Sequence, residues 1–399
     1  MKSKFLMLLV PVFSLVSCME DVTTIYEQPI PLVEVVDIPV ENPNTPAQTS
    51  SPEQVYEWME HMQADNGLVE SAEGTNFVSL YDNALTALAF LAEGDMARAE
   101  MIFDYFDQQL ETEFYGNNGG FFQFREISGA NGSRIWMGDN AWLLLAINNY
   151  HEMTNSDKYE HLAFELENWL RSLQEEDGGL KGGINADGTL IPKVTEGIIT
   201  AYNAVPGFDD FHMGILRFLE EQRWDVNEDV LITQTQNPAY NYALDLYSLG
   251  YMILEDFPVE VLTKANRFLN SQTSTTHGQV ISGYCFDDDK DVVWLEGTAQ
   301  MAMAFNAAEQ TGNAENIVLN IEETFINSAT SEGAIGIPYT TNHGTNFGAS
   351  YLWDHTDITP TISSSAWYLF VKKSFNPFQL EKNKGIRAED KFWTNSGVN

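Results

Sequence analysis

Acidic side chains recur in this chain at the starts of apolar stretches, where carboxyl groups can do proton chemistry. The segments are Leu80-Tyr81-Asp82-Asn83-Ala84-Leu85, Met137-Gly138-Asp139-Asn140-Ala141-Trp142, Val194-Thr195-Glu196-Gly197-Ile198 and Trp294-Leu295-Glu296-Gly297-Thr298-Ala299-Gln300. Tyr240-Asn241-Tyr242-Ala243-Leu244-Asp245 and Thr361-Ile362-Ser363-Ser364-Ser365-Ala366-Trp367 begin in the same manner. Asp82 and Asp139 lie 57 positions apart, as do Asp139 and Glu196; Glu196 to Asp245 is 49 and Asp245 to Glu296 is 51. A protonated carboxyl can give its proton to a departing oxygen, and an ionised one can attack carbon or activate water. Two such groups facing one cleft suffice. Their separation, which a sequence does not supply, separates retention from inversion.

An acid in the first turn of a helix also has a purely structural use. It accepts backbone N–H bonds and favours the helix dipole. Four acids at equivalent places, ahead of helices with few other polar groups, favour a chemical role for at least two. Glu196 and Glu296 stand out because each precedes a glycine, which lets a ligand approach the backbone closely. Trp294 gives Glu296 an apolar wall, and such a wall raises a carboxyl pKa toward that of a general acid. Asp82 and Asp139 are the next candidates, as base or as partners to ligand hydroxyls. Asp245 reads as lying one turn inside its helix, as a buried hydrogen-bonded carboxylate. Aromatic residues crowd the same loops: Tyr81, Trp136, Tyr202, Tyr242, Trp294 and Trp353. Their faces suit the C–H faces of sugar rings. Tyr202 lies six positions, just under two helical turns, beyond Glu196 and is expected on the same side.

Two kinds of helix must position these groups. Tyr159, Leu162, Ala163, Leu166, Trp169, Leu170 and Leu173 make one apolar stripe, opposite Lys158, Glu160, Glu165, Glu167 and Arg171. Similar stripes recur near 96–110, 208–222, 258–271 and 314–328, and 52–63 supplies a sixth. The stretches after the acidic starts, such as Ala141 to Ile147, are apolar all round and are expected to be buried. Glycine-rich turns (Asn118-Gly119-Gly120, Asp177-Gly178-Gly179, His277-Gly278) join the two kinds. One-sided helices alternating with apolar ones predict an all-α double ring of six hairpins, an (α/α)6 toroid, with short capping strands in the loops.

The hairpin count, the Asp139-Asn140-Ala141-Trp142 helix start, the Trp294 to Gln300 segment and the terminal Ala366-Trp367 and Asn376-Pro377-Phe378 resemble the six-hairpin glycosidase superfamily. More closely they resemble its bacterial lipoprotein members. The resemblance covers about residues 52–380. It implies a carbohydrate-active enzyme, foremost a glycoside hydrolase acting on a neutral oligo- or polysaccharide through Glu296, Glu196, Asp139 and Asp82. A non-catalytic glycan-binding surface lipoprotein is the alternative, and a terpenoid-cyclase-like toroid a minor one. Sugar epimerases of this fold use paired histidines on inner helices. None of the six helix starts carries one, and the seven histidines match no metal-ligand spacing.

Residues 1–17 read as a signal peptide, with Lys2 and Lys4 ahead of a short apolar stretch. Leu15-Val16-Ser17-Cys18 resembles a lipobox, which implies lipidation at Cys18 and anchoring in the bacterial cell envelope, foremost the outer membrane. Residues 18–51, acidic and carrying five prolines, read as a disordered tether; 381–399 read as a C-terminal tail. A monomer is expected. The 58 acidic and 20 basic residues give a formal charge of −38, which excludes binding to nucleic-acid backbones. Cys285 is expected to be a buried apolar thiol. Asp287, Asp289 and Asp291 could hold calcium through alternating carboxylates, but they lack the glycine and terminal glutamate of an EF-hand. They read as a solvated loop, and no cofactor is expected.

Overall fold

The computed structural model describes residues 51–233, 241–346, 350–351 and 356–394. The expected signal peptide, Cys18 and the tether lie outside the described residues, as does Trp353. Twelve α-helices are present among the described residues: α1 (Pro52–His61), α2 (Leu80–Glu93), α3 (Met96–Gln108), α4 (Met137–Thr154), α5 (Glu160–Ser172), α6 (Thr195–Ala204), α7 (Asp210–Gln222), α8 (Asp245–Ile253), α9 (Glu260–Lys264), α10 (Leu295–Ala307), α11 (Thr311–Glu322) and α12 (Ile362–Lys373).

The even-numbered helices pack in sequence, α2 on α4, α4 on α6 and so on, until α12 returns to α2 and closes the ring. Each odd-numbered helix packs outside one of them, with α1 shielding α12. This is the expected double ring, and burial shows why it forms. The helix α2 buries every residue from Leu80 to Leu91 except Tyr81, whereas α5 buries only Leu162, Leu166 and Leu170. A helix apolar all round is stable only between other elements; a helix with one apolar stripe can form the outer layer. The N-terminal closure is fixed by a capping box at Ser51 and Gln54 with Pro52 in the first turn.

The two ends of the ring differ. At one end, short turns lead from each inner helix to the next outer one. Gly94 and Asn155, both in the left-handed conformation, terminate α2 and α4 there. At the other end, longer loops return to the inner ring, and the short strands lie in them. Strand 77–79 pairs with 124–126, 183–184 pairs with both 135–136 and 190–191, and 269–273 forms a hairpin with 280–284. Gly178 shows why glycine recurs in these loops. Its φ is +88°, and a Cβ there would lie 1.9 Å from the Gly214 carbonyl oxygen.

The C-terminal segment is part of this body, contrary to the expected tail. Just before it, Phe378 packs on Trp142, with ring centroids 5.1 Å apart, and its carbonyl accepts from Asn203 Nδ2. Lys391 pairs with Glu255 and Asp256, and Trp393 is fully buried. The sequence gives no helical period here, so the burial is decided only by the surface that the ring offers. Among the described residues no helix is long and apolar enough to cross a membrane.

Candidate active site

All six inner helices begin at the looped end, so their first turns form one mouth. Asp82, Asp139, Glu196 and Glu296 meet there, linked across helices. Tyr81 is the hub. Its backbone N–H donates to Asp139 Oδ2 (3.3 Å), and its hydroxyl donates to Glu296 Oε1 (2.6 Å). Its ring meets the edge of Trp142 at 5.3 Å, and the Trp142 indole donates to Glu196 Oε1 (3.3 Å). Thr200 also donates to Glu196, and Gln300 to Glu296.

Helix capping does not account for these acids. The residues preceding α4, α6 and α10 are Trp136, Val194 and Trp294, and none makes a side-chain cap. Helix α2 is capped by Ser79, which accepts from the Asp82 amide. The hydrogen-bond partners of Asp139, Glu196 and Glu296 reach across helices or sit one turn along, rather than at the helix end.

Burial raises every carboxyl of the mouth, because the charged form loses its water. It pushes Asp82 to about 6, against the opposing hydroxyls of Ser71 and Ser79. Asp139 is raised well above the usual range by burial and then by the charge of Glu196, with Arg134 opposing. Glu196 is raised by burial, against the bonds from Trp142 and Thr200. Glu296 is pushed to about 8 by burial, with Asp82 and Asp245 adding repulsion and the Tyr81 bond opposing. Exposure separates the pair: Glu296 is 3% exposed, whereas Glu196 is partly open to solvent.

Asp245 belongs here too, which corrects the reading of it as a residue inside its helix. Helix α8 begins at Asp245, about five residues later than its sequence start suggested. The carboxyl is therefore at the mouth, partly exposed, and raised to about 8 by burial and by Glu196. The even spacing of the repeat was the signal for it. Asp139 Oδ1 and Asp245 Oδ1 are buried without a hydrogen-bond partner. Each is an acceptor that a ligand hydroxyl can satisfy.

The aromatic candidates divide. Trp136 is half-buried at the mouth, its ring lying over Gly138. Trp294 is wedged between Phe286, Tyr339 and Gly297 and is 4% exposed, so it packs the start of α10 rather than offering a stacking face. Tyr242 donates to Asp225, and Arg267 covers its ring at 3.9 Å. Tyr202 lies at the far end of α6, fully buried against His212 and Lys384. Six positions of helix carry it about 9 Å down the axis from Glu196 and more than half a turn away from its face, so the expected shared site is not formed. Trp142, which falls in a stretch expected to be buried, and Trp367, read only as part of a helix start, are parts of the site. The signal for them was that a buried indole N–H needs an acceptor.

The glycines after the two glutamates serve packing. Gly197 abuts Gly138 where α4 and α6 cross, and Gly297 lies against the Trp294 ring. The expected solvated acidic loop is solvated in part: Asp288 and Asp289 are exposed. Asp287 is buried, and Cys285, Asp287 and Asp289 bring potential ligand atoms within 4.8 Å of one another. Calcium takes six to eight oxygen ligands. A thiol whose pKa burial raises to about 11 is no such ligand, and the cluster does not fit that ion.

No protein-family model matches the chain, and no curated protein matches it by sequence. Solved structures do match. A glycosidase variant solved with glucose is 12% identical, with a TM-score of 0.57, over 82% of this chain and 96% of that one. An α-amylase from Clostridium perfringens is 13% identical, with a TM-score of 0.56, over 83% and 100%. A cellobiose 2-epimerase from Bacillus thermoamylovorans is 12% identical, with a TM-score of 0.53, over 81% and 98%. The likeness establishes the six-hairpin (α/α)6 fold over about four fifths of this chain.

Proposed function

We propose that the protein is a glycoside hydrolase acting on a neutral oligo- or polysaccharide. One observation carries the reading. Glu296 and Glu196 sit at one mouth, excused from capping, in environments that differ in exposure and are joined through Tyr81 and Trp142. Glu296, buried and raised, stays protonated near neutrality and serves as the general acid at the leaving oxygen. Glu196, the more exposed, serves as the carboxylate that attacks the anomeric carbon or activates water. Asp139 and Asp245 accept from sugar hydroxyls. Those carboxyls of the mouth that ionise near neutrality favour an uncharged substrate over an anionic one. The solved neighbours include a glycosidase and an amylase, which supports hydrolysis. The epimerase neighbour is a second reading, but no inner helix start carries the histidines that the resemblance requires for it.

The test is reducing-end release from glucans, mannans and xylans. Glu296→Gln should lower turnover by roughly 10²–10⁴, as loss of a general acid does, while sugar binding persists. Binding without turnover in the unaltered protein would instead make it a glycan-binding protein. We also propose that Cys18 carries a lipid. Cys18→Ala should move the protein out of the membrane fraction, and continued attachment would refute the anchor.

A further inference from the structure

The hydrogen bonds around Glu296 have a direction that the side-chain chemistry fixes. The Trp367 indole lies 3.1 Å from the Tyr81 hydroxyl oxygen. An indole nitrogen can only donate, so this bond occupies Tyr81 as an acceptor. The hydroxyl's own proton is then directed to its other close partner, Glu296 Oε1, 2.6 Å away. A second donor reaches the same oxygen. Gln300 Nε2 lies 3.2 Å from Glu296 Oε1, and the one proton of the Ser248 hydroxyl is shared between the oxygen end of that amide (3.4 Å) and the Asp245 carbonyl (3.3 Å). Two donors on Oε1 leave no room for a proton there.

We propose that Tyr81 is a positioning residue: oriented by Trp367 and assisted by Gln300, it makes Oε1 of Glu296 a fixed acceptor and confines the transferable proton to Oε2. The inference rests on the hydrolase reading for its use in turnover, although the arrangement of the proton does not. Four inner helices contribute to it. Helix α2 supplies Tyr81, α12 supplies Trp367, α8 supplies Ser248 and α10 supplies Gln300 beside Glu296 itself. A carboxylic acid has two oxygens that exchange roles freely in water. Held this way, it presents its proton from one side only, which is the pre-organisation that proton transfer to a placed leaving oxygen requires.

The other titratable groups near Glu296 are Asp82 on α2 and Asp245 on α8, which oppose its ionisation. Glu196 on α6 lies close enough to act on Tyr81. The Ser363 hydroxyl on α12 favours the ionised form. Tyr81→Phe keeps the ring against Trp142 and leaves all of these in place. It removes the hydrogen bond donated to Glu296 and, with it, the acceptor of the Trp367 indole N–H.

The measurement is an infrared titration of the protonated-carboxyl stretch, with the Glu296 band assigned by its loss in Glu296→Gln. The full chain is used and no substrate is needed. Losing a donor to the ionised form makes ionisation harder, so Tyr81→Phe should move the Glu296 midpoint upward by roughly one pH unit. Gln300→Met, which removes the other donor, should also move it upward. It serves as the test if Tyr81→Phe does not fold. Where turnover is measurable, the high-pH limb of Tyr81→Phe should shift by the same amount, and its maximum should fall several-fold. A merely structural Tyr81 would lower turnover at every pH and leave the limb in place. A midpoint unchanged or lowered in the folded variants overturns the proposal. Full turnover in Glu296→Gln sinks the hydrolase reading instead and leaves the infrared result standing.

Discussion

The mouth carboxyls tie stability to pH. A carboxyl whose pKa is raised by folding favours the folded state while it is neutral. That contribution is fully present below about pH 4, where the unfolded chain is also protonated. It is lost as the pH rises through about 6 for Asp82 and through about 8 for Glu296 and Asp245. The melting temperature should therefore fall between pH 5.5 and about 8.5, and Glu296→Gln should flatten that slope. A calorimetric series in matched ionic strength checks it; equal slopes for the two proteins would show that Glu296 ionises as freely as in water. Sites that hold charge where burial opposes it sacrifice stability for chemistry, so the same substitution should not lower the melting temperature at pH 8.

Helix pairs are held by contacts of another kind. The α4–α6 crossing brings Gly138 and Gly197 together; a Cβ on Gly197 would lie 3.1 Å from the Gly138 Cα. That crossing also sets how far Glu196 stands from Asp139 and Trp142. Gly197→Ala should destabilise by about 1–3 kcal/mol through overpacking, read from the denaturant midpoint. A neutral result would show that the helices can part without cost. A loop on the same rim is braced differently. Arg125, fully buried, makes paired bonds of 2.8 Å to both oxygens of Glu113, and Glu113 also accepts from the Phe122 amide. Such a pair is planar and directional, so it fixes the loop between α3 and α4 more than it stabilises the fold.

At the scale of the molecule, the ring is closed twice. Helix α1 covers α12 from the N-terminal side, and the chain after α12 crosses the end opposite the mouth. Trp393 lies against Phe257 and Phe392 and is fully buried. Trp393→Ala should cost about 3–5 kcal/mol, the usual range for a buried tryptophan. Thermal melting of the full chain checks this. A change within experimental error would mean that the ring stands without its final segment. The mouth lies at the other end of the ring from that segment and holds neither ring partner of Trp393, so the two substitutions in Trp393 and Glu296 should be additive in stability.

Much of this was legible in the residues alone. Burial patterns are local: a helix apolar all round must be inner, and a striped helix outer, so the count and order of the ring could be read from period alone. Repetition placed Asp82, Asp139, Glu196 and Glu296 at one end, because successive hairpins reverse direction twice. Which neighbour each carboxyl touches was not legible. The Tyr81–Glu296 bond spans 215 positions and the Trp367–Tyr81 bond 286, and only ring closure brings them together. Tyr202 is a different case. Six positions carry it about 240° round the helix as well as about 9 Å along the axis from Glu196, so it shares neither the face nor the depth of the mouth. Asp245 was misplaced because a helix start depends on the loop before it. Trp393 was missed because its partners are surfaces made by other elements. Local pattern determines what each element is; the tertiary structure decides which side chains meet, and chemistry depends on the meeting.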